Sequence, residues 1–413
     1  MKFKVITEKE YQKFWSKHPQ KTFLSSIEIG KLRQKNGFGV DFLGAFDGDK
    51  LVAAAMLTSK LRRFNKKDFY CPRGPLMDYN NKKLVDYFIE KLADFAKKNG
   101  GYQLRIDPYV IKQQRDIDGE IVEGGEDNLN AIDNLRTLGF KKVPVARREQ
   151  VAWMFSLDLE GKSEERIMKE MSASTRQRVR RTERIGIDIR ELKLDELEAF
   201  QDILDETAER KSFHSRDLKY HQEMFKLFGD QVKFFITSLD LDKYSKKLHA
   251  ELDKKTEQLK KAKKEGEKKN IEKDIVSLNL KLKEADQIRE KTGKKVINLS
   301  SSMFILMQPE VIYLESGNYN QYMKFNAQYL IQWELIKYGI KNGFKKHNFY
   351  GIPDKINTHP KDYGIYEFKK GFNGYVEELI GEYELPLTKE YYMLGAIHKS
   401  RDLMQKIKKL VKR

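Results

Sequence analysis

Residues 325–343 read FNAQYLIQWELIKYGIKNG, and the strand-like stretch FKKHNFYGI follows at 344–352. Apolar residues recur in the first stretch at helical spacing, and Asn-Gly is a typical helix stop, because glycine readily adopts the left-handed backbone conformation. The same order occurs earlier in the chain. KKLVDYFIEKLADFAKKNG (82–100) is an amphipathic helix with the same stop, and the buried strand YQLRIDPYV (102–110) follows it. The pattern predicts two copies of one α/β unit.

A Lys- and Glu-rich segment at 241–296 interrupts the second copy, and it has no proline and a central glycine, Gly266. Apolar residues on both sides of that glycine recur in steps of three or four, which places them along one side of each of two helices. They are Leu248, Leu252, Leu259 and Ala262 before it, and Ile271, Ile275, Leu278, Leu282 and Ala285 after it. We expect an antiparallel hairpin that turns at KEGEKKN (264–270) and projects as an arm. A solvated helical insertion without a function is the alternative.

The charge of the chain favours polyanionic partners. Its 413 residues carry a formal net charge of +18, with 34% charged and 39% hydrophobic residues. Such a balance is typical of proteins that meet RNA, anionic lipid head groups or phosphorylated substrates, although a lysine-rich soluble protein without such partners is the alternative.

The cellular setting follows from the cysteine count and the N-terminal stretch. The single cysteine, Cys71, excludes an intrachain disulfide and fits a reducing compartment. The opening MKFKVITEKEYQKFW lacks the apolar region of a signal peptide, and no run approaches the roughly 18 apolar residues of a membrane span. We expect a cytoplasmic protein that can associate peripherally with the inner face of the membrane.

Several familiar site motifs are absent from the sequence. It contains no GxxxxGK[ST] phosphate loop, no GxSxG elbow, no HExxH pattern and no cysteine pair for zinc. Cys71 lies in YCPRGPLMD directly before Pro72, which favours a packed thiol over a nucleophile. We therefore expect neither a cofactor nor a bound metal.

The densest cationic segment is MSASTRQRVRRTERIGIDIREL at 171–192, with five arginines in nine residues. They are Arg176, Arg178, Arg180, Arg181 and Arg184. Ser172 or Ser174 can cap a helix that ends at Gly186. Arginines at this density favour phosphate, which they bind through paired hydrogen bonds, and a solvated helix face is the alternative.

In three other segments, charged residues stand beside aromatic residues or at the end of a predicted strand. Arg210 and His214 flank Phe213 at a predicted helix end, which favours a cleft. Asp107 ends a buried strand, where it can face a ligand and accept a proton from an amine, or cap the following turn. In YEFKKGFNG (366–374), Lys369 and the adjacent Lys370 lie between two phenylalanines, which predicts a buried cation beside an anionic group.

Taken together, these segments resemble the Fem/MurM-type peptidoglycan-branching aminoacyltransferases over essentially the whole chain. The motifs that carry the resemblance are YCPRGPLMD (70–78), RIDP (105–108), STRQRVRRTERIGI (174–187), ETAERKSF (206–213), NFYGIP (348–353), GIYEFKKGFNG (364–374) and IGEY (380–383). Members of the family move an amino acid from aminoacyl-tRNA to the third-position lysine of the cell-wall precursor. The resemblance therefore implies aminoacyl-tRNA and lipid II, or a related precursor, as partners.

The resemblance also implies an α/β (α+β) fold of two acetyltransferase-like (GNAT-like) domains with an inserted antiparallel helical hairpin. The expected first domain is 1–145, with 385–413 packed on it. The second is 146–240 together with 297–384, and the coiled-coil arm is 241–296. A homodimer and a heterodimer with a sister transferase are both open, and the oligomeric state does not follow from the sequence.

Substrate-binding residues carry over position by position. The family's precursor-binding lysine lies in a segment that reads SSIEIGKLRQKNG here, so Arg33 takes its place and Lys35 is a second choice. The family's second phosphate-binding residue matches Arg210. His214 stands where a tyrosine is common, and Tyr313 is a further candidate for the substrate site.

The resemblance assigns a role to the Phe-Lys pair, Phe368 and Lys369, whose lysine stabilises charge at the transferred acyl group. Asp107 matches an acidic position that is a second catalytic candidate. Lys370 joins Arg176, Arg178, Arg180 and Arg181 as a candidate for tRNA phosphates. An aminoacyl ester is already activated, so no ATP site is needed, and a substrate phosphate could serve as the base.

Two other functions remain open on the residues alone. An acyl-CoA-dependent N-acetyltransferase would need a glycine-rich pyrophosphate loop of the Q/R-x-x-G-x-G/A kind directly before a helix, and no such loop precedes a predicted helix. A non-enzymatic RNA-binding or coiled-coil adaptor would use the basic face and the arm alone. The sequence also leaves open whether alanine, serine or glycine is transferred, which position of the branch is filled, and what the arm contacts.

Overall fold

The computed structural model describes residues 1–354 and 360–396, which fall into two compact units. The first unit comprises Met1–Ser156, Phe349–Lys370 and the described residues from Gly374 onward. The second comprises Leu157–Asn348 and Gly371–Asn373. Two of the boundaries between the units, at residues 156 and 348, lie inside the strands Trp153–Asp158 and Lys346–Gly351.

The N-terminal part of the first unit alternates strands and helices. In chain order it contains β1 (Lys2–Val5), α1 (Glu8–Trp15), α2 (Ile27–Lys35), β2 (Gly39–Asp47), β3 (Lys50–Leu61), β4 (Lys67–Cys71), α3 (Lys82–Lys98), β5 (Gly101–Ile106), β6 (Ile111–Gln114), α4 (Leu129–Thr137), β7 (Lys141–Lys142) and β8 (Trp153–Asp158).

The second unit contains most of the helices. Its elements are α5 (Glu164–Glu170), α6 (Ala173–Ile185), β9 (Asp188–Glu191), α7 (Leu197–Lys211), α8 (Leu218–Phe228), β10 (Val232–Asp240), α9 (Leu241–Lys261), α10 (Glu265–Thr292), β11 (Val296–Met307), β12 (Glu310–Asn318), α11 (Ala327–Lys341) and β13 (Lys346–Gly351). The chain then returns to the first unit with α12 (Pro360–Lys370), β14 (Tyr375–Leu379), β15 (Tyr383–Pro386) and helical residues at 390–396.

The first unit is built on a mixed sheet of seven strands in the order β1-β2-β3-β4-β5-β15-β7. Every neighbouring pair is antiparallel except β4 and β5, which are parallel and joined by α3. The apolar side of α3 packs into the core of this unit through Leu84, Val85, Phe88, Ile89 and Leu92. A second group of strands in the same unit has β14 between β6 and β8, antiparallel to both.

The second unit repeats this plan. Its strands run in the order β13-β12-β11-β10-β9, and only β12 and β13, which α11 joins, are parallel. Both connecting helices end at Asn-Gly, and both glycines take the left-handed conformation, with φ of 83° at Gly100 and 69° at Gly343. The predicted repeat of helix, Asn-Gly stop and strand is therefore present, and the predicted α/β fold class is confirmed.

The segment after β10 forms the expected helical hairpin, because α9 and α10 follow each other directly and run in opposite directions. Lys255 pairs with Asp274 at 2.6 Å, while Asp242, earlier in α9, pairs with Arg289, later in α10. The turn lies at 262–264, which is earlier than the predicted 264–270. The acidic residues at 265 and 267 stabilise the positive end of the α10 dipole, so the helix begins before Asn270 instead of after it.

The domain boundaries that the sequence suggested stay a prediction, and part of the segment 385–413 lies outside the described residues. Within the described ranges, no helix combines the length and the apolar character that a bilayer crossing requires.

Candidate functional site

Lys369 is a buried lysine in the last turn of α12. Its side chain is 5% exposed, and its Nζ donates a hydrogen bond of 2.6 Å to the carbonyl oxygen of Gly351. One turn earlier on the same helix, Tyr366 is buried and meets Phe155 edge to face at 6.2 Å. Burial disfavours the charged ammonium and lowers the pKa of Lys369 from 10.5 to about 7. The charge on this amine near neutral pH therefore depends on what binds beside it.

Lys370 differs from its neighbour in every one of these respects. Its side chain is partly exposed, forms an ion pair with Asp118 and lies over the ring of Tyr366 at 5.6 Å. The hydrogen bond to Asp118 raises the pKa of Lys370. Phe368 is half-buried, whereas Phe372 is fully buried in the second unit and stacks on Tyr329 at 5.9 Å. Of the two adjacent lysines, only Lys369 is buried, and its Nζ contacts a backbone carbonyl oxygen where the sequence predicted an anionic group.

Asp107 follows β5 and is buried against the loop that carries Arg73. It is 1% exposed, accepts a hydrogen bond of 2.5 Å from the backbone N–H of Arg73, and forms an ion pair of 3.7 Å with its guanidinium group. Burial raises the pKa of Asp107 from 3.8 to about 6, and the charge of Arg73 opposes that rise. The carboxylate thus fixes a distant loop, whereas the sequence had suggested a ligand contact or a cap on its own turn.

The Asp107 carboxyl group is incompletely bonded. The Tyr70 hydroxyl approaches it, but this hydroxyl and Oδ2 of Asp107 complete no hydrogen bond with any residue in the described part of the chain. Buried polar atoms are usually paired, and the partners that lie near Oδ2 are the Arg73 guanidinium group at 3.7 Å and the Tyr70 hydroxyl.

Glu382 is a second buried carboxylate of the first unit, in the IGEY motif. It is 1% exposed, accepts a hydrogen bond from the guanidinium group of Arg105, and accepts another of 2.7 Å from the backbone N–H of Glu149. Burial raises the pKa of Glu382 from 4.5 to about 7, Arg105 opposes the rise, and the negative charge of Asp107 adds to it. The two carboxyl groups therefore influence each other's ionisation.

Sequence reasoning assigned no role to Glu382, Arg73 or Arg105, although each lies in a quoted motif. The sequence feature that could have identified these three residues is a charged side chain within or next to an apolar, strand-like stretch. Lys, Glu, Arg and Asp are almost never fully buried unless they are paired, so such positions predict partners.

Arg33 lies in the last turn of α2, close to Tyr70 and Asp107. Its guanidinium group donates a hydrogen bond of 3.4 Å to Oγ1 of Thr58 and faces the rings of Tyr70 at 5.1 Å and Phe38 at 5.4 Å. Its positive charge also acts to lower the pKa of Asp107. The structure thus brings together Arg33, Tyr70 and Asp107, while Lys35 is exposed at the end of the helix.

In the second unit, Arg210 occupies the last turn of α7. The residue is half-buried, and its buried Nε makes no hydrogen bond with the residues that the structure describes. The helix ends at Ser212, which takes the left-handed conformation with φ of 57° and leads into an exposed loop that carries His214. An arginine with an unsatisfied buried N–H is suited to bind an anion, because a carboxylate or phosphate would complete its hydrogen bonds.

Tyr313 is the remaining substrate-site candidate, and it is buried in β12. Its hydroxyl donates a hydrogen bond to Oγ of Ser316, and its ring lies 5.3 Å from that of Phe304. Burial raises the pKa of Tyr313 from 10.0 to about 12. The side chain is therefore a neutral phenol at neutral pH.

The arginine helix α6 is capped by Ser172 and stopped by Gly186, as the sequence predicted. Two of its arginines have intramolecular partners. Arg176 donates to the carbonyl oxygens of Lys169 and Met171 at 2.7 and 2.9 Å, and Arg178 is hydrogen bonded to the hydroxyl of Tyr329. The others, at 180, 181 and 184, are exposed. The helix therefore has an anchored beginning and a cationic surface towards its end.

Cys71 is 1% exposed in the core of the first unit, and burial raises the pKa of its thiol well above the usual value. It is a packed thiol, as the sequence predicted. Across residues 1–354 and 360–396, no group of three or more His, Cys, Asp or Glu side chains is arranged to hold a metal ion.

Comparison with known proteins places the chain in one family. The model of the FemAB family matches residues 6–399. Two relatives are the aminoacyltransferases FemA of Staphylococcus aureus strains bovine RF122 / ET3-1 and N315. Each is 30% identical over 411 residues, a match that covers 95% of this chain and 97% of the relative.

The fold has a counterpart among solved structures. The crystal structure of FemX superposes with a TM-score of 0.72 at 20% sequence identity, covering 95% of this chain and 99% of FemX. At that identity the match concerns the fold. The family model and the FemA relatives carry the assignment of the family. The chain belongs to the FemAB family.

Proposed function

We propose that this chain transfers an amino acid from aminoacyl-tRNA to the stem-peptide lysine, or to an earlier branch residue, of a lipid-linked peptidoglycan precursor. The FemA relatives are named aminoacyltransferases, which supports the reaction type. The observation that carries the proposal is Lys369, a buried amine whose pKa lies near neutrality on a helix end of the first unit.

The reaction joins an amine to an ester carbonyl, and its intermediate carries negative charge on the former carbonyl oxygen. In our proposal Lys369 supplies a positive charge to that oxygen. The interaction is strong because the lysine is buried, where the effective dielectric constant is low. As the oxygen becomes negative, it stabilises the ammonium form of Lys369, so the transition state gains more than the ground state does.

The attacking amine must also lose a proton. Asp107 and Glu382 are carboxyl groups with pKa values of about 6 and about 7, and acids and bases in this range exchange protons efficiently near neutral pH. We propose Asp107 as the proton acceptor, with Arg73 keeping it ionised. When the intermediate collapses, the bond between the acyl carbon and the ribose oxygen of the tRNA breaks, and this oxygen takes up the proton from Asp107 as the tRNA leaves. The negative charges of the two carboxylates repel each other, so an ionised Glu382 would raise the pKa of Asp107.

Cations provide the binding part of the proposal. Arg33 and Arg210 would hold phosphates of the precursor, since each is a partly buried arginine and Arg210 has an unsatisfied Nε. The exposed arginines 180, 181 and 184 would meet the tRNA backbone. No ATP is needed in this scheme, because the ester bond of aminoacyl-tRNA is already activated.

A reconstituted transfer assay tests the proposal. Purified full-length protein is mixed with lipid-linked precursor and one charged tRNA at a time, carrying alanine, serine or glycine, and the stem peptide is analysed by mass spectrometry. We expect one residue to be added with at least one of these tRNAs. Free amino acid with ATP should give no product, and acetyl-CoA should give no acetylated precursor.

The absence of product with every charged tRNA would refute the proposed reaction. Acetylation by acetyl-CoA would instead favour an acetyltransferase. A precursor with a complete or partial branch as the acceptor distinguishes addition of the first residue from addition of a later one.

The lipid-linked acceptor also implies that the protein works at a membrane surface. Its net charge of +18 suits association with anionic lipid. Co-sedimentation with vesicles that contain phosphatidylglycerol, compared with vesicles of phosphatidylcholine alone, tests this association.

A further inference from the structure

The second unit contains a buried histidine that the proposed reaction does not use. His221 lies in α8 and is fully buried between Gln201 of α7 and Glu315 of β12. Its Nδ1 is 2.8 Å from Oε1 of Gln201, and its Nε2 is 2.8 Å from Oε2 of Glu315. Three elements that are distant in the sequence therefore meet at one imidazole ring.

The surroundings fix which way the Gln201 amide points. Its Nε2 donates two hydrogen bonds of 2.9 Å, one to Oδ1 of Asp205 and one to the backbone carbonyl of Arg216. Both partners are acceptors, so the reversed amide would set oxygen against oxygen at both contacts. Oε1 must therefore face His221, and Nδ1 of His221 must carry a hydrogen.

This orientation places a proton on the other side of the ring. A neutral imidazole with hydrogen on Nδ1 has a bare Nε2, yet Nε2 lies within hydrogen-bonding distance of a carboxylate oxygen. Two acceptors at 2.8 Å need a hydrogen between them. Either His221 is an imidazolium ion paired with Glu315, or Glu315 is protonated, and in both cases the pair holds one proton that a neutral histidine and a carboxylate would lack.

The groups facing this pair come from several elements. From α7 they are Gln201 and, behind it, Asp205; from β12, Glu315; from α8 itself, Tyr220, whose ring lies 5.5 Å from that of His221. The rings of Phe200 and Phe234 close the site at 5.0 and 6.0 Å. Aromatic walls exclude water from the ring, so the proton is retained through the two hydrogen bonds and not through solvent.

The network holds the loop between α7 and α8, residues 212–217. The amide of Gln201 binds the carbonyl of Arg216, and Asp205 accepts a hydrogen bond of 2.7 Å from the hydroxyl of Ser215. This loop carries His214 and begins two residues after Arg210. The position of the loop relative to the sheet therefore depends on a chain of hydrogen bonds that starts at Glu315.

We propose that His221, which shares a proton with Glu315, is a positioning residue. Its network holds the α7–α8 loop, which carries His214 and begins two residues after Arg210, in place for an anionic group of the acceptor substrate. The inference rests on the proposed function for the role of Arg210. The geometry of the network itself stands apart from that function.

Two substitutions of the same residue separate positioning from general packing. In Glu315→Gln, the carboxamide can donate to the bare Nε2 of a neutral His221, so every hydrogen bond of the network is kept without the extra proton. In Glu315→Ala, Nε2 loses its partner. The Glu315 side chain is 25% exposed, so both variants should fold.

The variants are compared by steady-state kinetics and by amide hydrogen exchange of the full-length protein. For Glu315→Ala we expect the KM for the precursor to rise about tenfold, with kcat changed less than about twofold, since a displaced binding group weakens binding of a substrate. The amides of 212–217 should exchange about tenfold faster. Glu315→Gln should resemble the wild type in both measurements.

Nitrogen-15 spectra of histidine-labelled protein report whether Nε2 of His221 carries a hydrogen. A side chain that only fills space would show no change in this signal between the variants. If the shared proton lies on Nε2 in the wild type, we expect the Nε2 signal of His221 to shift towards that of an unprotonated nitrogen in Glu315→Gln, while Nδ1 keeps its hydrogen. If Nε2 is already unprotonated in the wild type, the carbon-13 signal of the Glu315 carboxyl group should be that of a protonated acid. An unprotonated Nε2 beside an ionised Glu315 in the wild type would overturn the shared proton.

The remaining outcomes are also decisive. Unchanged KM and unchanged exchange in Glu315→Ala would overturn the positioning role, as would equal defects in the alanine and glutamine variants. If the wild type transfers no amino acid from any charged tRNA, the proposed function fails, whereas the hydrogen-exchange comparison still decides whether the network holds the loop.

Discussion

Charged side chains occupy opposite settings in the two units: they are buried in the first unit and exposed on the arginine helix α6 of the second. In the first unit, Lys369, Asp107 and Glu382 are at most 5% exposed, and burial moves the pKa of each towards neutrality. On α6, the arginines at 180, 181 and 184 project into solvent.

The difference indicates how the work of the protein is divided. A buried group whose pKa lies near 7 can change its charge during a reaction, and its interactions are weakly screened. An exposed arginine keeps its charge and acts in water, where each one adds only modestly to the binding free energy. Several exposed arginines together can bind a polyanion. We therefore assign chemistry to the first set and binding of a polyanion to the second.

The largest expected effect comes from Lys369→Met, which keeps the bulk of the side chain and removes its charge. We expect kcat for amino-acid transfer to fall roughly 10²- to 10³-fold, because a buried charge that stabilises the intermediate is lost. The KM for the precursor should change only a few-fold. Lys370→Met, on the exposed neighbour, is the matched control and should alter kcat only a few-fold. An unchanged rate in Lys369→Met would remove this lysine from the mechanism.

The next effect concerns stability. Arg73→Met leaves Asp107 buried without its opposing charge, and breaking a buried ion pair in this way typically costs about 3 kcal/mol of unfolding free energy. Urea unfolding at neutral pH measures the loss. Lys255→Ala, which breaks an exposed pair on the arm, should cost less than about 1 kcal/mol. Equal losses in the two variants would contradict the contrast between buried and exposed charge.

The pH dependence of stability should show two limbs that the same buried groups create. Asp107 and Glu382 have folded pKa values of about 6 and about 7, above their ordinary 3.8 and 4.5. At a pH between the ordinary and the folded pKa of each carboxyl group, the folded protein holds more protons than the unfolded chain. The contribution of the two carboxyl groups to stability therefore falls as pH rises from about 4 to about 7. Lys369 acts oppositely: its folded pKa of about 7 is below 10.5, so its contribution recovers as pH rises above about 7.

Each limb should change by on the order of 1 kcal/mol per pH unit, and denaturant unfolding of variants identifies the group responsible. Glu382→Gln should reduce the slope of the acidic limb and leave the part that Asp107 contributes, without changing the alkaline limb. Lys369→Met should flatten the alkaline limb without changing the acidic one. Profiles that run parallel to the wild type in both variants would show that these groups do not titrate as described.

The smallest effect is expected on α6. Replacing both Arg180 and Arg181 with alanine should weaken binding of charged tRNA about tenfold near physiological salt, and should reduce the slope of log affinity against log salt by about one to two. Filter binding over a range of salt concentrations measures both. Arg176→Ala is the control: it should lower stability, because its guanidinium group binds carbonyl oxygens at the end of α5, and affect tRNA binding less. A larger loss of binding in Arg176→Ala would reverse this division of the helix.

The fold was largely readable from the sequence because its signals are local. Helical spacing, the Asn-Gly stops and the Ser172 cap each act within a few residues, and the structure shows the elements they predict. The turn of the arm was misplaced because a central glycine suggested a break, whereas the acidic residues beside it stabilise a helix start.

The candidate site was less readable because its bonds link distant segments. Asp107 could be identified as an acidic residue at a strand end, but its partner Arg73 lies 34 residues earlier. Glu382 and Arg105 meet across 277 residues. Sequence periodicity carries no information on such pairs, and the near-neutral pKa values arise only from the burial that folding produces.

The three near-neutral groups of the first unit also link ligand binding to the surrounding buffer. A protein whose side chains are partly protonated at pH 7 must take up or release protons when a charged ligand alters their pKa values. An anion that settles beside Lys369 would draw a proton from solution, so the measured heat of binding would depend on the ionisation enthalpy of the buffer. The acidity of the compartment, and not only the supply of substrates, would then set how tightly the chain holds its ligands.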